Sequence, residues 1–271
     1  MGFIKGTLLL ILTFIIFLLL LITFTFASLT FSLSYENVQE NSKNLVKDIA
    51  DKEILKYNVS YEIDNYINQF KSYCQQNPNV QEYVVSFENS TIKISCSSIS
   101  QPKEEIINNV VESFVYGFYF KKYECGFFDC FSKEKIPLFL ISKKAKDYFR
   151  DKFYLTLGIA LILAAISYVF LENKINWPIF AGFLIIISAF VFKIILGVVF
   201  SIFKEPYSLF LGILLNKAGS VFWFSLITGF LFLSSGLIIK MIVFRYSLKD
   251  FLSRFSKQKI KQQPKTRNTQ K

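Results

Sequence analysis

From Gly6 to Tyr35 the chain carries no charged side chain. That uncharged run exceeds the roughly 20 helical residues needed to cross a hydrocarbon core. A secretory signal would have a shorter apolar core, of about 7 to 15 residues, and a small-residue cleavage site. Phe26-Ala27-Ser28 supplies no Ala-x-Ala pattern. The run is therefore expected to stay on the chain as a membrane anchor.

Three further uncharged or nearly uncharged runs follow. One lies between Lys152 and Glu172, one begins at Trp177 and continues past Lys193, and one lies between Lys217 and Lys240. Four spans are expected. Glu172-Asn173-Lys174 leaves almost no room for a loop, so the second and third spans should form an antiparallel helical hairpin, with Pro178 near the helix start. Trp177 and Phe222-Trp223-Phe224 suit interfacial belts. The 32 phenylalanines and a mean hydropathy of +0.39 agree with a bilayer as solvent. The absence of histidine excludes His-based acid/base catalysis, His-containing nucleophile triads and His metal sites.

The formal charge of +11 is unevenly placed. Arg245 to Lys271 holds nine basic residues against Asp250 alone, whereas residues 33 to 150 hold fifteen basic and sixteen acidic ones. A basic excess confined to a tail beside a span points to membrane orientation, not to nucleic acid. The C terminus is then cytoplasmic, an even number of spans puts Met1 there too, and residues 36–150 face outward. Both Asn-x-Ser/Thr sequons, at Asn58 and Asn89, and all four cysteines fall in that outward segment. Cysteines gathered there suit an oxidising exterior, and Asn58 and Asn89 become candidate glycosylation sites.

The outward segment has the patterns of a small α+β domain. Val38, Leu45, Val46, Ile49 and Ile54 suggest a helical extension of the first span. Ser60 can cap a helix whose Ile63, Tyr66, Ile67, Phe70, Tyr73 and Cys74 share one face, ended by Asn77-Pro78. Tyr83 to Glu88 and Thr91 to Cys96 flank Asn89-Ser90 as a hairpin, with Phe87 opposite Ile92, Val85 opposite Ile94 and Tyr83 opposite Cys96. Pro102 opens a helix striped with Ile106, Ile107, Val110, Val111, Phe114 and Phe118, and Ser142 can cap a helix running into the second span. Of the three pairings open to four cysteines, Cys74 with Cys96 and Cys125 with Cys130 close the most plausible local geometry.

Other features have plainer readings. Lys193, about 24 Å along a helix from Trp177, is near enough to an interface to snorkel. Tyr207 to Asn216 is too short to cross and is expected to lie on the outer surface, with a re-entrant loop, which would favour a channel, as the alternative. Ala160 and Ala164, Ala181 with Ser188 and Ala189, and Ser225, Gly229 and Gly236 would let the later spans approach closely, while the first span lacks such a groove and is expected to pack loosely or to contact lipid or a partner. Leu248, Phe251, Leu252 and Phe255 oppose Lys249, Arg254 and Lys257, an amphipathic membrane-surface helix. Gln262 to Lys271 reads as disordered.

The expected fold is an α-helical integral membrane protein: four transmembrane helices, with a small disulfide-stabilised extracytoplasmic α+β domain between the first and second. Its parts are an anchor (1–35), the outer domain (36–150), a three-helix membrane region (151–244) and a basic cytoplasmic tail (245–271). The expected function is non-catalytic, an interaction or scaffold domain displayed for other membrane or envelope proteins, with the bilayer as the other partner and no cofactor or metal. A transporter or channel component is one alternative. Four spans with paired outward cysteines also resemble the topology of bacterial membrane disulfide-generating enzymes, which would make Cys125 and Cys130 a redox pair. Against that, no Cys-x-x-Cys is present and no cysteine lies in a span to meet a quinone. A large first and short second outer loop resemble the claudin type of four-span adhesion protein. The Trp-based loop signature of that family is absent, so no residue roles carry over.

Overall fold

The computed structural model describes residues 3–44, 60–87, 90–133, 137–202 and 207–261. In chain order the elements are α1 (Phe3–Ser32), α2 (35–44), α3 (Ser60–Gln76), β1 (Glu82–Phe87), β2 (Ser90–Ser95), α4 (Lys103–Tyr119), α5 (Phe127–Lys133), α6 (Lys143–Phe170), α7 (Trp177–Ile202), α8 (Tyr207–Leu214) and α9 (Ala218–Lys261). Short 3-10 turns occupy Cys96–Ser100, Pro137–Ile141 and Lys174–Asn176. Four segments are long and apolar enough to cross a membrane: Lys5–Ser32, Lys143–Phe170, Lys174–Ile202 and Leu211–Arg245.

Within α1 the polar threonines do not compete with the helix. Thr13, Thr23, Thr25 and Thr30 each donate a hydroxyl to the carbonyl four residues earlier, so these four protons are satisfied within the helix, whereas the buried Ser28 hydroxyl finds no partner. Of the alternatives for the first span, loose packing does not hold: α1 lies along α6 and also touches α7 and α9. Its Phe24 and Ala27 enter a bundle core with Ala189, Phe192, Val221, Phe222 and Leu226. The small residues that permit this approach, Ala27, Ser28 and Ser32, lie at its lobe end and are buried. Ser28 and Ser32 have the i, i+4 spacing of a close-approach pair, but it is a single pair at the end of a long run of Leu, Ile and Phe.

The expected hairpin of α6 and α7 is present. Asn173 Oδ1 accepts from the Ile175 N–H in the turn. Trp177 does more than mark an interface: its indole N–H lies within hydrogen-bond distance of the Ala164 carbonyl (3.2 Å) and Ser167 Oγ (3.3 Å), tying the two spans together. Glycines form the seam between α7 and α9. A Cβ on Gly182 would sit 2.6 Å from the Gly229 carbonyl oxygen, and one on Gly236 would sit 2.6 Å from Ile179 Cγ1. Gly229 and Gly236 were expected on the basis of size. On α7 the closest backbone approach is at Gly182, beside the expected Ala181, and the expected Ser188 and Ala189 are fully buried.

Helix continuity differs from expectation at two places. The fourth span and the amphipathic stretch are one continuous helix, α9, of 44 residues; nothing between Lys240 and Leu248 interrupts the backbone, and neither Gly nor Pro occurs there. The first span, by contrast, does break. Leu33 and Ser34 leave the helix, and Asn37 Nδ2 donates to the Phe31 carbonyl (2.9 Å) and Ser34 Oγ (2.6 Å) as α2 begins.

In the lobe, α3 ends at Gln76, before Pro78 as expected. The β1–β2 register is Tyr83↔Ile94, Val85↔Ile92 and Phe87↔Ser90, offset by two residues from the expected pairing. The strands begin and end one residue earlier than expected, at 82–87 and 90–95. Because side chains alternate with period two, the offset leaves every residue on its expected face. Tyr83 and Ile94 still pack with Phe70, Cys74 and Ile106. Cys96 moves just past the strand, its N–H donating to the Gln81 carbonyl.

Helix α4 is the strut of the lobe. Pro102 precedes it, and Glu104 and Glu105 in its first turn complement the helix dipole. Ile106 enters the lobe core, whereas Val111, Val115 and Tyr119 enter a second core with Leu33, Val38, Ile141, Ile213 and Leu214. Val115 and Tyr119 lie off the expected stripe because α4 packs against two partner surfaces.

Candidate functional site

The second core is a joint between lobe and bundle. It gathers the end of α1, α2, α4, the turn before α6, and α8. Leu33 and Val38 are wholly enclosed. The segment Tyr207 to Asn216, expected on the surface, instead buries Ile213 and Leu214 here. The Lys217 N–H donates to Ser32 Oγ at 2.9 Å. These contacts bury apolar side chains that a surface helix would leave wet.

Polar groups fix the joint's orientation. The Leu33 carbonyl sits at the α1–α2 break, where helical partners run out, and Tyr119 Oη donates to it at 2.8 Å. Lys43 Nζ pairs with Glu112 at 3.1 Å, linking α2 to α4 a second time. Tyr35 packs against Tyr119 and Phe120, each at 5.3 Å between ring centroids. Burial, then the charges of Asp147 and Glu36, push the Tyr119 phenol up to about 12. Burial, followed by Glu112, Tyr116 and Glu36, raises Tyr35 as well. Both phenols therefore stay neutral near pH 7, and Tyr119 remains a hydrogen-bond donor.

The cysteines form two pairs in different surroundings. Cys74 and Cys96 are bridged with Cα atoms 5.6 Å apart, in the lobe core between α3 and the end of the hairpin. Cys125 and Cys130 are bridged with Cα atoms 5.4 Å apart, where α5 packs on the turn before α6 and on α6 itself. There Phe127 stacks on Tyr148, with centroids 4.0 Å apart and planes 11° from parallel. Lys144 Nζ donates to the carbonyls of Tyr123 and Cys125. No spacing in the sequence pointed to Lys144, since those partners lie about twenty positions back along the chain.

Beside the first bridge lies an open depression of about 470 Å³, lined by Cys74, Cys96, Pro78, Val80, Gln81, Ser95, Ser97 and Ile99. No ionisable side chain lines it. Among the described residues, no three Cys, Asp or Glu side chains gather as a metal site.

The remaining expected residues do not join this assembly. Asn58 and Asn89 lie outside the described residues. Lys249, Arg254 and Lys257 fall on α9, and their side chains are outside what the structure describes. Lys193 is exposed on α7, with Nζ 4.6 Å from the Phe222 ring centroid, a cation–π contact that keeps the charge at the edge of the bundle. No protein-family model matches the chain, and no curated protein or solved structure matches it.

Proposed function

We propose that this chain is a non-catalytic integral membrane protein that holds its disulfide-braced lobe on the extracytoplasmic side and presents it to another membrane or envelope protein, as an accessory or scaffold subunit. The observation that carries the reading is the pairing of all four cysteines within the lobe, with none left free. Structural bridges persist in oxidising compartments. Basic residues crowd both the tail and the lobe end of α6, so the charge bias is divided and the bridges weigh more.

The joint supports the presentation role. A tethered domain would need only a linker, whereas this lobe shares a core with three bundle-derived segments, so its outer surface is held at a set angle. That surface exposes Tyr73 and Val84, apolar groups available to a protein partner.

Thiol labelling of intact cells tests the side assignment. A membrane-impermeant maleimide should label the lobe only after an impermeant reductant is added; labelling that requires permeabilised cells would overturn it. A photo-crosslinking residue at position 73 or 84 tests the partner role. Crosslinking to a defined membrane or envelope protein is expected, and its absence at both positions counts against presentation.

A further inference from the structure

The first turns of α6 carry basic charge that the acidic residues beside it do not neutralise. Asp147 and Asp151 both approach Arg150, at 3.1 and 3.7 Å. Lys144 is committed to two backbone carbonyls. Among the described residues neither Lys143 nor Lys146 has a carboxylate partner; Lys143 Nζ instead lies 5.9 Å from the Phe120 ring centroid.

The arrangement of this charge matters more than its amount. At about 100° per residue, Lys143, Lys146, Arg150, Tyr154 and Leu161 share one face of α6. Lower on that face, Tyr154 is 63% exposed and Leu161 62% exposed, in the part of the helix that is apolar enough to meet lipid chains. With a rise of 1.5 Å per residue, Arg150 stands about 6 Å and Lys146 about 12 Å above Tyr154. The polar layer of one leaflet is roughly 5 to 8 Å deep. Arg150 falls within it, and the four-carbon stem of Lys146 can reach back into it.

We propose that this stripe binds the headgroup of an anionic glycerophospholipid in the leaflet from which the lobe projects. The lipid phosphate would meet Lys146 and Arg150, with Lys143, about 16 Å above Tyr154, adding attraction from above the polar layer instead of direct contact, and an acyl chain would lie along Tyr154 and Leu161. Charge complementarity selects the headgroup, and continuity with the lipid-facing surface selects a lipid over a soluble ligand. Lys143 also rests on Phe120, which packs on Tyr35 of the joint, so the occupied site would brace the lobe's base. The site does not depend on which side of the membrane the lobe occupies. Its failure and failure of the side assignment are thus distinguishable.

Native mass spectrometry of the full chain in mild detergent, with phosphatidylglycerol or phosphatidylcholine added, tests this. Phosphatidylglycerol should be retained preferentially, and its retention should fall as NaCl rises from about 0.1 to 1 M. Each lysine at the surface contributes roughly fivefold, so Lys143→Gln with Lys146→Gln should weaken retention about 30-fold. Lys143→Arg with Lys146→Arg should restore it, and the distal pair Lys71→Gln with Lys93→Gln should leave it unchanged. Equal retention of the two lipids, or an equal loss in the distal variant, overturns the proposal. Should the glutamine variant fail to fold, the salt titration of the unaltered protein still decides: retention insensitive to NaCl refutes the site.

Discussion

Replacing Gly182 with alanine probes the closest backbone approach in the bundle. The added Cβ would lie 2.6 Å from both the Gly229 carbonyl oxygen and the Leu233 nitrogen, whereas ordinary contact begins near 3.4 Å. The obstacles are backbone atoms, which cannot rotate away as a side-chain tip can. Helices α7 and α9 must therefore part by about 0.8 Å, a gap that forfeits a quarter to a half of each contact's dispersion energy. The seam continues through Gly229 against Ile186 and Gly236 against Ile179, so the separation is felt along its length. Lipid offers no hydrophobic force to close it again. Overpacking of this kind costs about 1 to 3 kcal/mol, and the backbone contacts place Gly182→Ala toward the upper end. Gly197 is the control, because a Cβ there meets nothing within 4 Å. The assay is SDS titration in mixed micelles, followed by far-UV circular dichroism and by the fluorescence of Trp177 and Trp223. Gly182→Ala should unfold at a lower SDS fraction, with Gly197→Ala unchanged. Gly182→Ala and Gly229→Ala share a contact, so their combined effect should fall short of the sum. Coincident curves for Gly182→Ala and Gly197→Ala would refute this account of the seam.

At the joint, Tyr119→Phe removes the donor to the Leu33 carbonyl and should cost about 1 to 2 kcal/mol, read as faster hydrogen exchange in α2 and α4. The Tyr119 phenol, at about 12 when folded, ionises near 10 when unfolded. Its contribution is thus complete below pH 10 and is lost as pH rises toward 12; alkaline unfolding of Tyr119→Phe should lack that component, and identical alkaline curves would sink the assignment. The bridges close loops with sequence separations of 22 and 5. Chain entropy then predicts that Cys74→Ser with Cys96→Ser costs about 3 kcal/mol and Cys125→Ser with Cys130→Ser about 2 kcal/mol. Loss of the first bridge should raise exchange in the lobe while sparing the spans; uniform loosening would show that the lobe has no core of its own.

The patterns that proved readable along the chain are those whose cause is local. Four spans could be counted because crossing a membrane depends on an unbroken apolar stretch, and the boundaries at Pro78, Pro102 and Ser142 followed from residues that end or cap helices. The strand faces came through despite a register offset of two, since alternation survives that slip. Cys74 and Cys96 could be matched because helix face and hairpin face both pointed to one core.

The joint could not be read in this way. Tyr119 meets Leu33 across 86 residues, and Lys217 meets Ser32 across 185. No periodicity in either partner announces the other. An apolar decapeptide such as Tyr207 to Asn216 carries the same composition whether it lies on a surface or fills a gap. Ala181 and Gly182 differ by one methyl group in the sequence, yet it is the phase of α7 against α9 that brings Gly182 onto the Gly229 carbonyl. Solvent preference, capping and alternation are properties of short stretches and survive in one dimension. Helix phase, closest approach and the satisfaction of a stranded carbonyl arise only when distant segments are brought together.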